Sequence, residues 1–272
     1  MALGDRKVHR IGLGTNRLTD SEPARAFLRE AVELGLNFID TADVYRSNES
    51  ESTIGQALGP AAPGLVIATK GGLIRTAEGL TVDGRPEHLR EAVEGSLRRL
   101  RTERIELYHL HRPDPKVPIE SSVGALKEMQ AEGKIRQIGI SNVTVEDIER
   151  ARRVAKIVSV QNRYSLWERE HEAVVDYCGS HSIVFIPWYP LQHGELGAAS
   201  TLNVLATRRG LTPHQLALRW LLKRSPMMLP IAGTLTIEHL KENLAAADGE
   251  MSDDDFQELS RASGAAVIAE RP

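Results

Sequence analysis

The chain has 272 residues, of which 41% are hydrophobic and 26% charged, with a formal net charge of −3 and one cysteine, Cys178. That balance is ordinary for a globular protein with a sizeable core, and gives no electrostatic reason to expect a nucleic acid or an anionic membrane as partner. A lone cysteine excludes an internal disulfide and points to a reducing compartment, and "MALGDRKVHR" lacks the apolar stretch of a signal peptide, so the expected location is the cytoplasm.

In chain order, eight short apolar runs read as strands: Ile11–Thr15, Asn37–Asp40, Leu65–Thr69, Leu107–Leu110, Gln137–Ser141, Val158–Gln161, Val184–Pro187 and Met228–Ile231. Segments of helical period lie between them. "SEPARAFLREAVELG" places Ser21 near an N-cap, Pro23 in the first turn and Gly35 just past the end. "RPEHLREAVEGSLRRL" follows the same logic, as do "TVEDIERARRVA", with Thr144 as cap and Asp147 at the third helical position, and "LTPHQLALRWLLKR", with Thr212 and Pro213. The runs lack strict alternation, as strands covered on both faces do. No linker rich in proline, glycine or serine divides the chain. The expectation is a single α/β domain over residues 1–272, a (β/α)8 TIM barrel whose site lies at the carboxyl ends of its strands.

Four ionisable or hydrogen-bonding residues end such runs: Asp40 and Tyr45 in "LNFIDTADVY", Lys70 in "GLVIATK" and His111 in "IELYHLH". Singly, each has a plain reading as a loop carboxylate, a half-buried aromatic, a snorkelling lysine or a barrel filler. By strand alternation His109 points to the same side as His111, so one of the two reads as a barrel filler. Other chemistries lack their motifs. The histidines form no H-E-x-x-H, there is no G-x-S-x-G elbow or G-x-x-x-x-G-K-[ST] loop, and "GLGTN" lacks the third glycine of a dinucleotide fingerprint. The basic clusters "RRLRTER" and "RARR" are interleaved with acids and read as solvated helix faces.

The pieces "IGLGTNRL", "GLNFIDTADVY", "VIATKGG", "IELYHLHRPDP", "AEGKIRQIGISN", "VQNRYSLWER", "IPWYPL" and "LPIAGTLTIEHLKENLAAAD" agree in order and spacing with the aldo-keto reductases, which the chain resembles over nearly its whole length. The resemblance implies NAD(P)H-dependent reduction of small aldehydes or ketones. In it, Tyr45 gives the proton, Lys70 lowers the phenol's pKa, Asp40 pairs with Lys70, and His111 orients the substrate carbonyl. It also implies that Ser141, Asn142 and Gln161 hold the nicotinamide carboxamide and that Trp188 stacks on the ring. Gly14, Thr15, Asn16 and Asp40 would line the cofactor near the tyrosine, with Tyr189, Pro190, Leu191 and Ile231 along its length.

The phosphate end is expected at Gly233, Thr234, Thr236 and His239, with Glu242 and Asn243 at the adenine. Many family members clamp the 2′-phosphate with a lysine and an arginine, where this chain has Gly233 and His239. An imidazole is mostly neutral above neutrality, so NADPH is the expected cofactor with a modest preference, and NADH remains possible. Arg46, where related chains often have glycine, reads first as solvent-exposed and second as a residue at the pocket mouth. The short "LQHGELGAAS" and the brief tail imply an open site without a large lid. A bacterial branch that includes pyridoxal reductases resembles the chain further, with an aromatic aldehyde lying against Trp188 or Trp167. The alternative function is a cofactor-binding sensor or regulatory subunit with little turnover. No obligate protein partner and no metal are expected.

Overall fold

The protein, described by a computed structural model over residues 1–59, 64–77, 79–192 and 201–269, opens with an antiparallel hairpin, β1 (Ala2–Leu3) and β2 (Arg6–Lys7). Barrel strands β3 (Gly12–Gly14), β4 (Phe38–Asp40) and β5 (Val66–Gly71) follow. A side hairpin, β6 (Leu73–Thr76) and β7 (Gly79–Val82), interrupts the barrel. The barrel then resumes with β8 (Ile105–Leu110), β9 (Ile135–Ser141), β10 (Ile157–Gln161), β11 (Val184–Phe185) and β12 (Ile231–Gly233). From β3 to β11 each barrel strand pairs in parallel with the next one in the chain, and β12 pairs in parallel with β3.

Closure between β11 and β12 uses the residues just before β12. The Phe185 N–H donates to the Met227 carbonyl at 2.9 Å and the Leu229 N–H donates to the Phe185 carbonyl at 2.9 Å. Pro230 has no N–H to give. The chain therefore serves β11 before the proline and β3 after it, which is why the eighth strand falls later than the predicted Met228–Ile231.

Among the described residues, ten α-helices pack outside: α1 (Glu22–Glu33), α2 (Glu49–Leu58), α3 (Pro86–Leu100), α4 (Ile119–Ala131), α5 (Val145–Val154), α6 (Glu172–Ser180), α7 (Thr201–Arg209), α8 (Pro213–Arg224), α9 (Ile237–Ala245) and α10 (Asp253–Ala269). The expected caps are present. Ser21 accepts from the Ala24 N–H at 3.3 Å, and Thr144 with Asp147 and Thr212 with Gln215 form reciprocal capping boxes. Helix α10 is held by Trp220, whose indole donates to Ser260 at 2.9 Å and stacks on Phe256.

Strand alternation sorts two cores. Ile39, Ile67, Tyr108, Leu110, Ile138, Ile140 and Val160 pack outward against the helices. Phe38, Val66, Ala68, Leu107, Val158 and Ile231 pack together inside the barrel, with Leu3 and Val8 of the opening hairpin region against them. The inner series continues upward into polar residues, from Phe38 to Asp40, from Ala68 to Lys70, and from Leu107 to His109 and His111. A bulge in β10 adds one more. Ile157 pairs with Ile138 and Ser159 with Gly139, two residues against one, so Val158 and Ser159 both face inward. Gly139 is required there, because a Cβ would stand 2.4–2.6 Å from the His109 ring and Ser159 Oγ.

Candidate active site

Lys70 sits at the centre of the polar end, its side chain wholly buried. An ammonium has three protons, and here each has an acceptor: Asp40 Oδ1 at 2.6 Å, the Thr41 carbonyl at 2.8 Å and the Tyr45 hydroxyl oxygen at 3.4 Å. The second Asp40 oxygen accepts from Gln161 Nε2 at 2.8 Å. His111 lies edge-on to Tyr45, with ring centroids 6.1 Å apart. The four predicted residues therefore meet, although they come from three strand ends and the turn after β4.

Burial alone would lower the Lys70 pKa, but the charges and hydrogen bonds of Asp40 and Tyr45 carry it above its ordinary value. Lys70 is an ammonium. Burial raises Asp40 and is opposed by the charge and hydrogen bond of Lys70 and by the hydrogen bond of Gln161. Tyr45 shows a departure from expectation. Lys70 does pull its pKa down, yet burial outweighs that pull and the phenol stands above its usual value. Burial, then the charges of Lys70 and Arg112, hold His111 far below the ordinary imidazole value, so it is neutral. His109 donates to or accepts from Ser159 Oγ at 3.0 Å, fully buried, with its pKa lowered to about 3 mainly by burial. It fills the barrel interior.

Tyr45 and His111 open onto a cleft of about 1160 Å³. This exceeds the roughly 300–1,000 Å³ common for a drug-sized ligand, leaving room for a dinucleotide with a small molecule beside it. Every residue expected at the cofactor lines this cleft, from Gly14, Thr15 and Asn16 through Ser141, Asn142, Gln161 and Trp188 to His239, Glu242 and Asn243. Lys70 does not. It lies behind Asp40 and Tyr45.

Several of these side chains are fixed before any ligand arrives. Thr15 spends its hydroxyl on the Asp40 carbonyl at 2.8 Å and on Ser50 at 2.9 Å, which also meets Thr41 at 2.8 Å. Ser141 donates to the Gln161 carbonyl at 2.7 Å, and Asn142 Nδ2 donates to Ser141 Oγ at 2.9 Å and the His111 carbonyl at 3.0 Å. Asn142 reaches both from a left-handed backbone, φ 59°, which asparagine tolerates. Its Oδ1 is left for a ligand donor. Thr234 accepts from the Thr236 N–H at 3.2 Å, shaping the turn into α9.

Arg46 is exposed and does not line the cleft, in line with its first reading. Other expectations are corrected. Trp167 packs against the outer core, while Trp188 lines the cleft. The open rim expected from short loops is modified by the β6–β7 hairpin, whose Leu73, Leu80 and Val82 line the cleft beside Val44. The helix-period and strand-period readings passed over this hairpin because "LIRT" and "GLTV" are too short to stand out. Most of "LQHGELGAAS", residues 193–200, lies outside the described residues. Arg17, Arg112, Arg163 and His214 also line the cleft and were not singled out. Arg163 pairs with Glu168 at 2.9 Å and lies over the Tyr189 ring.

Residues 10–263 match the model of the Aldo/keto reductase family. The chain belongs to that family. An uncharacterized oxidoreductase of Schizosaccharomyces pombe is 43% identical, covering 94% of this chain and 87% of the yeast protein. Pyridoxine 4-dehydrogenase of Escherichia coli is 36% identical, covering 93% and 94%. Among solved structures, an aldo/keto reductase of Klebsiella pneumoniae in complex with NADP and acetate is 31% identical, with a TM-score of 0.83 over 93% of this chain and 91% of that one. Aldo/keto reductases use nicotinamide cofactors, and the cleft has the size and the fixed polar lining to hold one.

Proposed function

We propose that this protein reduces small aldehydes or ketones to alcohols with NADPH. One observation carries the reading: the buried ammonium of Lys70 donates to the Tyr45 oxygen from behind. That oxygen is the acceptor in this contact, so its own proton is the one left to give toward the cleft. Ser141, Asn142 and Gln161 would hold the carboxamide, Trp188 the ring, and Gly233, Thr234, Thr236 and His239 the phosphate end. A reduced nicotinamide, when bound, supplies hydride.

The residues of the chain do the rest. Tyr45, a protonated phenol, gives its proton to the carbonyl oxygen as charge builds there. Lys70 stabilises the phenolate that remains, and Asp40 with the Thr41 carbonyl keeps the ammonium in place. Neutral His111 has one nitrogen that can donate to the same oxygen, and a neutral donor adds orientation without a competing positive charge. The apolar rim of Val44, Leu73, Leu80, Val82 and Trp188 excludes water and suits a small apolar or aromatic carbonyl compound. Pyridoxal belongs in the substrate panel because the Escherichia coli relative carries the name pyridoxine 4-dehydrogenase.

The test is loss of NADPH absorbance with 4-nitrobenzaldehyde and with pyridoxal, in wild type and Tyr45→Phe. Sustained turnover abolished by the substitution supports the enzyme. Cofactor binding without turnover on any substrate of a broad carbonyl panel would favour a sensor or regulatory role instead.

A further inference from the structure

The position at which many relatives carry a lysine is Gly233 here, yet the space beside it is not without charge. Arg17, three residues beyond β3, donates from Nη2 to the Gly233 carbonyl at 3.2 Å. A Cβ built on Gly233 would meet only the Gly14 carbonyl at 3.5 Å and that same Arg17 nitrogen at 3.9 Å. The guanidinium thus stands next to the space that a side chain of residue 233 would enter. Leu18, 1% exposed, anchors the turn in the core while Arg17 stays at the surface.

A guanidinium has five N–H donors, and one serves Gly233. No carboxylate pairs with Arg17 among the described residues, whereas Arg163, which also lines the cleft, is already paired with Glu168. Arg17 lines the same cleft as Thr234 and Thr236. A planar, permanently charged fork suits phosphate oxygens better than any other side chain.

We infer that Arg17 grips a phosphate of the bound dinucleotide, supplying from the turn after β3 the fixed positive charge that residue 233 lacks. This rests on the proposed nicotinamide-dependent function and names a residue that sets its cofactor affinity. It adds a permanent charge to the phosphate end expected at Gly233, Thr234, Thr236 and His239. The phosphate is either the pyrophosphate, common to both cofactors, or the 2′-phosphate of NADPH alone, and the experiment separates them.

Dissociation constants for NADPH and NADH are measured by tryptophan fluorescence quenching, with Trp188 as the reporter in the cleft, for wild type, Arg17→Ala and Arg17→Lys. The measurements are made at low and high salt, with thermal melts to check folding. Arg17→Ala is expected to weaken NADPH binding by about tenfold or more at low salt. The loss should shrink at high salt, where an exposed charge is screened, and Arg17→Lys should recover part of it. A loss confined to NADPH assigns the 2′-phosphate, and an equal loss with NADH assigns the pyrophosphate. Unchanged binding of both cofactors by folded Arg17→Ala overturns the role, and so does a loss that neither salt nor lysine moderates. Wild type that binds neither cofactor overturns the underlying reading, and Arg17 with it.

Discussion

The Lys70 ammonium and the Asp40 carboxylate meet at 2.6 Å with neither side chain more than 1% exposed. Removing one member of such a pair strands the other's charge, at a cost of roughly 3–5 kcal/mol. Lys70→Met should therefore lower the melting temperature as well as turnover. The double variant Asp40→Asn with Lys70→Met should regain most of the stability but none of the activity, since no cation then faces Tyr45. We expect kcat to fall by roughly 10²-fold or more in both. Thermal melts and initial rates check this, and a Lys70→Met protein with wild-type turnover would remove Lys70 from the mechanism.

Tyr45 sets the pH dependence. Its pKa lies above the ordinary phenol value because burial outweighs the attraction of Lys70. The phenol is thus protonated throughout the range from about pH 6 to 9. Reduction, which needs the proton, should be flat over that range. Alcohol oxidation, which needs the phenolate, should climb with pH throughout it. A falling limb for reduction near neutrality would show that the phenol ionises far below this expectation.

His111 should be kinetically silent as a titrating group. Burial and the nearby Lys70 and Arg112 charges keep it neutral, so neither kcat nor kcat/KM should show an imidazole inflection between about pH 5 and 8. Its loss should still be felt. His111→Ala removes one donor to the developing oxyanion, an effect of roughly 10²-fold in kcat, and leaves the NADPH dissociation constant nearly unchanged. Equal losses in binding and turnover would move His111 into a cofactor-holding role.

The barrel and its site differed in how far they could be read from the sequence. Polar residues at the ends of apolar runs gave the positions of Asp40, Lys70 and His111, because alternation along a strand is a local property. Gln161 was recognisable by family resemblance, but its bond to Asp40 crosses 121 positions of the chain and no local pattern encodes it. Arg17 was passed over for the same reason: its partner is residue 233. The bulge that turns Ser159 inward was hidden because two-to-one pairing is a property of β9 and β10 together. The sign of the Tyr45 shift needed burial, which the sequence does not state.

Asp43 offers a test of the ground beneath the site. It lies two residues before Tyr45, is 6% exposed, and has one carboxylate oxygen buried without a partner. Burial, then the charge of buried Glu51, raises its pKa to about 7, against the weaker pulls of the Val44 N–H, Arg99 and Lys70. Glu51 itself is satisfied by Thr69 at 2.5 Å and Arg99 at 2.7 Å. In the unfolded chain Asp43 titrates near the usual aspartate value of about 3.9. Between that value and about pH 7, the folded state binds the extra proton, so this group's contribution to stability falls as pH rises and levels off above about 7. Asp43→Asn removes the titration but keeps the shape. The variant should therefore match wild type near pH 4 and exceed it at pH 8, by on the order of 2–4 kcal/mol. Denaturant unfolding at both pH values measures the difference. A gap between the two proteins that stays constant with pH would mean that Asp43 ionises normally in the folded protein.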